Sequence, residues 1–188
     1  MIDKAIIIEQ ICKTLLSSSK DGALNFINEK YKFDYKVAKN RAYSERQKIQ
    51  VFLRDGFIDR YTGDKLVNPG ILKALSVHFP EDFPYHLHWK MEKTHIAYWE
   101  LTPTLDHIVP IARGGEDAFE NWVTTSQLHN SIKSHWTLEQ MGWKLFEPGN
   151  LSDWNGLTKL FIELVEKDGT LLEDNYVKRW YKFSKEML

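Results

Sequence analysis

"LDHIVPIARGGEDAFENWVTTSQLHNSIKS", residues 105–134, decides the fold of this chain. The stretch "TLDHIVPIA" predicts a first strand, the Gly-Gly pair after it predicts a turn, and "NWVTT" predicts a second strand. Helical pattern then resumes from about Ser126 to Ser134. Four polar side chains stand among the apolar neighbours of this segment: Asp106, His107, Asn121 and Asn130.

Helices are predicted before this segment. Apolar residues at helical spacing predict one helix over residues 3–17, and Asp21 is the expected N-cap of a second that reaches about Tyr31. The stretch "YKVAKNRAYSERQKIQVFLRDG" predicts a third, ending near Gly56. Residues 57–100 are predicted to be irregular, because "YTGD" and "VNPG" are turn signals.

The predicted fold class is α+β, with helices on both sides of a strand–turn–strand–helix core. A length of 188 residues suits one domain, 1–188. Within it we expect a helical N-terminal part over 1–55, a core over 56–136 and a helical C-terminal part over 137–188. The C-terminal part shows two helical patterns, the first of them stopping at Gly169.

Composition limits the classes of partner and site. The 25 basic and 26 acidic residues give a net charge of -1, so a polyanion must be held by local basic patches. One cysteine excludes an intramolecular disulfide and a multi-cysteine zinc site. No stretch reaches the roughly 18 to 20 apolar residues that span a bilayer, and the N-terminus is a poor signal peptide. A cytoplasmic protein without membrane contact is expected.

The segment from about 104 to 134 resembles the HNH endonuclease motif, which has the ββα-metal nuclease fold. In that family an Asp-His pair ends the first strand, an Asn opens the second, and a His or Asn on the following helix completes the site. Asp106 and His107, Asn121 and Asn130 fill these positions here. The resemblance therefore implies a ββα-metal core that hydrolyses phosphodiester bonds.

The residue types also suit that chemistry. Neighbours on a strand point to opposite sides, so Asp106 and His107 can flank one phosphodiester. His107 is the expected general base, because an ordinary histidine pKa of about 6.5 leaves it largely neutral at pH 7. Asp106 and Asn130 would hold Mg²⁺ or a similar ion such as Mn²⁺, with Ser134 or a water as an alternative second ligand. The resemblance adds Asn121 to the catalytic set, as the side chain that pins the loop and keeps His107 oriented.

The sequence departs from the family in one respect, because many members brace the site with a four-cysteine zinc ribbon. Asp59 and Thr62 stand where the first cysteine pair would be, and Ser126 and His129 occupy the second pair. These four residue types make an improbable zinc site. We expect no structural zinc, and we expect aromatic and apolar packing to keep the ribbon shape.

Contacts to nucleic acid are expected from local cations. Arg113 and Lys133 flank the proposed site, and Arg113 lies in the loop where a phosphate could reach it. Arg41, Arg46 and Lys48 belong to a basic stretch that is either a solvated helix face or a phosphate-tracking surface.

The leading hypothesis is a metal-dependent endonuclease of double-stranded DNA, of a type that suits restriction or phage defence. By resemblance, cleavage would leave 5′-phosphate and 3′-hydroxyl ends. An RNase or broad toxin nuclease on the same site, and a nucleic-acid-binding module with an inactive site, are the alternatives. Oligomeric state stays open, since an enzyme that cuts palindromes would be a twofold homodimer and a nickase could be a monomer.

Overall fold

The structure is a computed structural model that describes residues 3–17, 19–33 and 43–187. Contacts divide the chain into two compact units, residues 1–37 and 38–188, whereas the sequence predicted one domain with a helical part ending at 55. Arg41 lies outside the described residues.

The first unit is a helical hairpin of α1, Lys4–Ser17, and α2, Lys20–Lys30. Ser19 is the N-cap of α2, because its side chain accepts a hydrogen bond from the Gly22 N–H at 3.2 Å. The prediction that Asp21 caps this helix is therefore wrong. Asp21 lies inside the first turn, where its negative charge favours the helix dipole.

The second unit begins with α3, Glu45–Arg54. Ser44 and Gln47 form a reciprocal capping box, which satisfies two N–H groups at the start of the helix. The helix buries three apolar residues, Ile49, Val51 and Phe52. The predicted third helix is confirmed over this range, and the part of it that would cover residues 35–42 lies outside the described residues.

Residues 57–100 contain two helices that the sequence pattern did not predict, α4, Pro69–His78, and α5, Ala97–Leu101. The stretch "VNPG" starts α4 rather than a turn, because the Asn68 side chain accepts from the Gly70 N–H at 2.9 Å and Pro69 takes the first helical position. A Cβ on Gly70 would lie 2.4 Å from the Phe161 ring, so glycine admits this ring against the helix.

The central motif is an antiparallel pair followed by a helix. Strand β1 is Pro103–His107, strand β2 is Trp122–Ser126, and α6 is Gln127–Lys133. In the register of the pair, Asp106 lies opposite Val123 and His107 opposite Trp122. This arrangement confirms the predicted α+β class and gives the ββα order. The first strand is shorter than expected: it ends at His107, and a 3-10 turn at Ile111–Arg113 follows.

Three helices complete the chain: α7, Leu138–Met141, α8, Thr158–Lys167, and α9, Asn175–Met187. The predicted stop at Gly169 is confirmed, because α8 ends at Lys167, Asp168 is its C-cap, and Gly169 begins a 3-10 turn. The main apolar core joins α3, α4, α8 and α9 around Phe52, Ile71, Phe161, Val165, Val177 and Trp180. Among the described residues, no helix is both long and apolar enough to cross a membrane.

Candidate active site

Asp106 lies near the end of β1, and one of its two carboxylate oxygens is engaged. Oδ2 accepts a hydrogen bond from the Tyr61 hydroxyl at 2.6 Å and forms an ion pair with Lys133 Nζ at 2.8 Å. No described residue donates to Oδ1. Burial, followed by the negative charge of Asp106, raises the pKa of Tyr61 above its usual range. Tyr61 therefore stays protonated and donates to Asp106, which leaves Oδ1 as the oxygen available to a ligand.

His107, the next residue, is buried with its imidazole held at one nitrogen. Its Nε2 lies 2.8 Å from Asp117 Oδ1, and the Trp122 indole nitrogen lies 3.1 Å from Nε2 and 3.0 Å from the same Asp117 oxygen. A carboxylate facing Nε2 favours the tautomer in which Nε2 carries the proton. The Trp122 N–H must then donate to Asp117 as well, because a protonated Nε2 cannot accept. Nδ1 keeps its lone pair and makes no hydrogen bond to any described residue.

Asn121 ties together the two ends of the loop between the strands. Its Oδ1 accepts from the Val109 N–H at 2.9 Å, and its Nδ2 donates to the Val109 carbonyl at 2.9 Å and the Glu116 carbonyl at 2.7 Å. A Cβ on Gly115 would lie 1.8 Å from the Val109 carbonyl oxygen, so only glycine permits this closure. The geometry is that of a positioning residue, since none of these contacts involves a group that could react.

Asn130 is the third polar residue of the predicted site, on α6. Its Nδ2 donates to the carbonyl of Leu105, the residue before Asp106, at 3.4 Å. With the amide nitrogen turned to the strand, the carboxamide oxygen is available as a second oxygen ligand. Ser134, the alternative ligand, is exposed and has left the helix, with a φ of 48°. Ser134 therefore does not continue the helix face that carries Asn130, and its position does not support it as the alternative ligand.

The ribbon positions are joined by a buried polar cluster around Asp59. This carboxylate is fully buried and accepts four hydrogen bonds, from Tyr61 N, Thr125 Oγ1, Ser126 N and His129 Nδ1. Trp143 adds aromatic contacts, with its ring centroid 5.5 Å from Tyr61 and 6.1 Å from His129. The expectation that apolar and aromatic packing keeps the ribbon shape is incomplete, because hydrogen bonds to a buried carboxylate also join these positions. Among the described residues, the Thr62 hydroxyl accepts only from the nearby Asp64 N–H.

The cations predicted to contact nucleic acid occupy different environments. Arg113 is exposed beside the loop, where its Nε donates to the His135 carbonyl and its guanidinium lies 5.7 Å from the Trp136 ring centroid. Lys133 lies inside instead, with no exposed surface. This placement differs from the surface contact that the sequence predicted, since the ammonium is used by Asp106.

The basic helix α3 approaches the site through Tyr43. The Tyr43 ring centroid lies 6.3 Å from that of His107, and Lys48 Nζ lies 5.5 Å from the Tyr43 ring. Lys48 also pairs with Glu45 at 2.8 Å, while Arg46 is exposed. Cations on α3 can therefore reach a polyanion that also contacts the imidazole.

The donors present suit a hard divalent cation. Asp106 Oδ1 and the Asn130 carboxamide oxygen are the oxygen ligands that Mg²⁺ and Mn²⁺ prefer, and Mg²⁺ often uses only one or two protein ligands. Among the described residues, no three His, Cys, Asp or Glu side chains are grouped so that they could hold a metal ion. A metal ion here would have few protein ligands, so water and substrate would have to supply the others.

Comparison with known proteins agrees with this geometry. Residues 90–137 match the HNH endonuclease family, a range that contains β1, the loop, β2 and α6. This segment is therefore an HNH domain with a ββα core, which confirms the resemblance found in the sequence. No curated protein and no solved structure matches the chain. An HNH domain indicates a nuclease with a nucleic-acid substrate, and such nucleases generally use a divalent metal.

Two residues of the site were missed by sequence reasoning. Asp117 lies in a polar loop whose composition does not distinguish it from its neighbours. Tyr61 comes from 45 residues before Asp106 and reaches it only through the tertiary fold. Neither position carried a local pattern that pointed to the site.

Proposed function

We propose that this chain is a divalent-metal-dependent endonuclease that hydrolyses DNA, with His107 as general base. One observation carries the proposal: consecutive residues at the end of β1 present an uncommitted carboxylate oxygen and an uncommitted imidazole nitrogen. Hydrolysis of a phosphodiester needs a group that deprotonates water and a group that manages charge at phosphorus. Asp106 and His107 supply both functions from one strand.

In the proposed reaction, His107 Nδ1 takes a proton from a water molecule that attacks phosphorus. The bond between phosphorus and the 3′ oxygen breaks, so the products are a 5′-phosphate and a 3′-hydroxyl that takes a proton from solvent. Asp117 Oδ1 lies 2.8 Å from Nε2 and accepts the hydrogen bond from its N–H. The negative charge of Asp117 stabilises the imidazolium that forms. Asn121 keeps the loop that carries Asp117 closed.

Asp106 and Asn130 would hold the metal, Mg²⁺ or another divalent ion such as Mn²⁺. A bound ion of this kind neutralises charge that develops on the phosphate and stabilises the leaving oxygen. We expect no structural zinc in addition, because Asp59, Ser126 and His129 already use their polar atoms on one another.

Double-stranded DNA is the proposed substrate, held by Arg46 and Lys48 on α3, by Arg113 beside the loop, and by Arg41. The support is the continuity from Lys48 through Tyr43 to His107, which gives the backbone of one strand a cationic approach to the imidazole. A small nuclease of this type suits a cytoplasmic role in restriction or phage defence, and acting as a homodimer would let it cut both strands.

Digestion of three substrates tests the proposal. Purified protein is incubated with supercoiled plasmid, single-stranded DNA and total RNA, in Mg²⁺, Mn²⁺ or a chelator, and product ends are sequenced. We expect metal-dependent cutting of the plasmid with 5′-phosphate ends. Preferred digestion of RNA would support a ribonuclease instead, and binding without turnover in every metal would support an inactive module. A His107→Ala protein prepared in parallel controls for contaminating nuclease.

A further inference from the structure

Lys133 is a buried cation at the centre of the site. Its ammonium lies 2.8 Å from Asp106 Oδ2 and donates to the His107 carbonyl at 2.7 Å. It also lies 5.6 Å from the Tyr61 ring centroid. The residue has 0% exposed surface, so the surroundings of this charge are protein groups.

Full burial of a lysine is uncommon because desolvation of the ammonium is unfavourable unless a partner compensates it. Here the partner is Asp106, itself 8% exposed. Lys133 is three residues after Asn130 on α6, so the two side chains share a face of the helix. The helix therefore brings the Lys133 ammonium to Asp106 and the Asn130 amide to the backbone of the preceding residue, Leu105.

We propose that Lys133 is the internal counter-ion of the metal site, which stabilises the folded site without metal and weakens the binding of a divalent ion. The proposal rests on the proposed function in one respect, since it takes Asp106 to be a metal ligand. Tyr61 and Lys133 both use Oδ2, so Oδ1 is the Asp106 oxygen that would remain for the ion.

In this proposal the Asp106 carboxylate is shared by the Lys133 ammonium and the divalent ion, which affects how tightly the ion binds. The ammonium repels a divalent ion held a few ångströms away, so affinity in the free protein is low. A substrate phosphate adds negative charge and further oxygen ligands, so the ion binds more tightly when nucleic acid is present. Metal loading is thereby coupled to substrate binding.

Thermal unfolding of a Lys133→Met variant without nucleic acid tests the proposal. Methionine keeps much of the length of the side chain but removes the charge, which leaves the buried Asp106 carboxylate without its counter-ion. We expect this variant to unfold at a lower temperature than the parent in a chelator and to regain most of the difference in Mn²⁺, with an apparent Mn²⁺ affinity about tenfold tighter than that of the parent. The parent should respond only weakly to Mn²⁺. Lys159→Met, at an exposed lysine of α8, is the matched control.

The double variant Asp106→Asn/Lys133→Met removes both charges. It should be more stable in chelator than Lys133→Met alone and should lose the response to Mn²⁺. If Lys133→Met does not fold in chelator, folding on addition of Mn²⁺ supports the proposal, and failure to fold in Mn²⁺ contradicts it. A Mn²⁺ response no larger than that of the parent also overturns it. Plasmid cleavage is measured separately from stability. If Mn²⁺ restores the melting temperature of Lys133→Met but the parent protein does not cleave plasmid, the proposed function is contradicted and this inference stands.

Discussion

Asp59 and Asp106 are two buried carboxylates of the same core, and their hydrogen bonding separates a structural group from a candidate ligand. Both oxygens of Asp59 are used, by four donors. In Asp106, Tyr61 and Lys133 share Oδ2, and no described residue donates to Oδ1. Burial and charge are alike in the two residues, so neither property identifies a metal ligand. The distinguishing property is an oxygen that the protein leaves uncommitted.

The same contrast bears on the positions where many HNH nucleases carry the cysteines of a zinc ribbon. Around Asp59, one carboxylate holds the turn at Tyr61, the end of β2 and the start of α6 together. A ribbon zinc would join the same positions through thiolates. Asp59 thus stabilises the scaffold, whereas Asp106 keeps the uncommitted oxygen that the proposed metal site requires.

The largest predicted effect is loss of cleavage in Asp106→Asn. The amide oxygen can replace Oδ2 as acceptor for Tyr61 and Lys133, but the buried Lys133 ammonium loses its counter-ion, so the variant should melt at a lower temperature and is compared with the parent where both are folded. Loss of the anionic ligand should lower the cleavage rate by about a thousandfold or more. Plasmid cleavage in Mg²⁺ measures the rate, and circular dichroism confirms the fold. A variant that cuts at the parent rate would show that Asp106 is not a ligand.

The same substitution at Asp59 should act on stability instead. Every orientation of the amide in Asp59→Asn turns its NH₂ group towards donors, which leaves unpaired polar groups in the interior. We expect a loss of about 3 kcal/mol in the free energy of unfolding, or a fall of about 10 °C in melting temperature. At temperatures below the melting temperature of the variant, each folded molecule should cleave DNA at the same rate as the parent protein. A variant as stable as the parent would contradict the structural role given to Asp59.

Asp117→Asn should have an intermediate effect on catalysis. The amide oxygen can still accept from His107 and Trp122, but the charge that stabilises an imidazolium is gone. We expect kcat to fall about tenfold to a hundredfold with little change in KM. Nitrogen-15 NMR should place the His107 proton on Nε2 in the parent and show a mixture of tautomers in the variant. Glu116→Gln, an exposed neighbour in the same loop, is the control, and equal losses in both variants would argue against a specific role of Asp117.

The smallest predicted effect concerns substrate binding. Lys48→Ala should weaken DNA binding to a similar degree for all sequences and lower the slope of log affinity against log salt concentration by about 1. Fluorescence anisotropy across a salt series measures both quantities. Lys159→Ala, at an exposed lysine on α8, should change neither. An unchanged slope in Lys48→Ala would mean that α3 does not contact phosphates.

Local sequence pattern predicted the ββα motif because its signals lie within one continuous segment. The strand-like stretch from Thr104 to Ala112, the Gly-Gly turn and the spacing from Asp106 to Asn130 are short-range features. The helix α4 was missed for a physical reason: Asn68 and Pro69 occur in turns and at helix starts alike, and only the packing of Gly70 against Phe161 distinguishes the two.

The placement of charges could not be predicted in the same way. Lys133 was expected at the surface because lysine is rarely buried, and it is inside because Asp106 compensates it. Asp59 was recognised as a replacement for a cysteine, but three of its four donors come from β2 and α6, more than 60 residues later. Such contacts are properties of the tertiary fold, and no local pattern encodes them.

Anomalous diffraction from Mn²⁺ tests the central claim most directly. Crystals of His107→Ala with a DNA duplex and Mn²⁺ should show one anomalous peak about 2.0–2.2 Å from Asp106 Oδ1, next to the Asn130 carboxamide oxygen and a phosphate oxygen. No peak is expected between Asp59 and His129. A peak at Asp59, or none at Asp106 although the duplex is bound, would contradict the assignment of the metal to the uncommitted oxygen of Asp106.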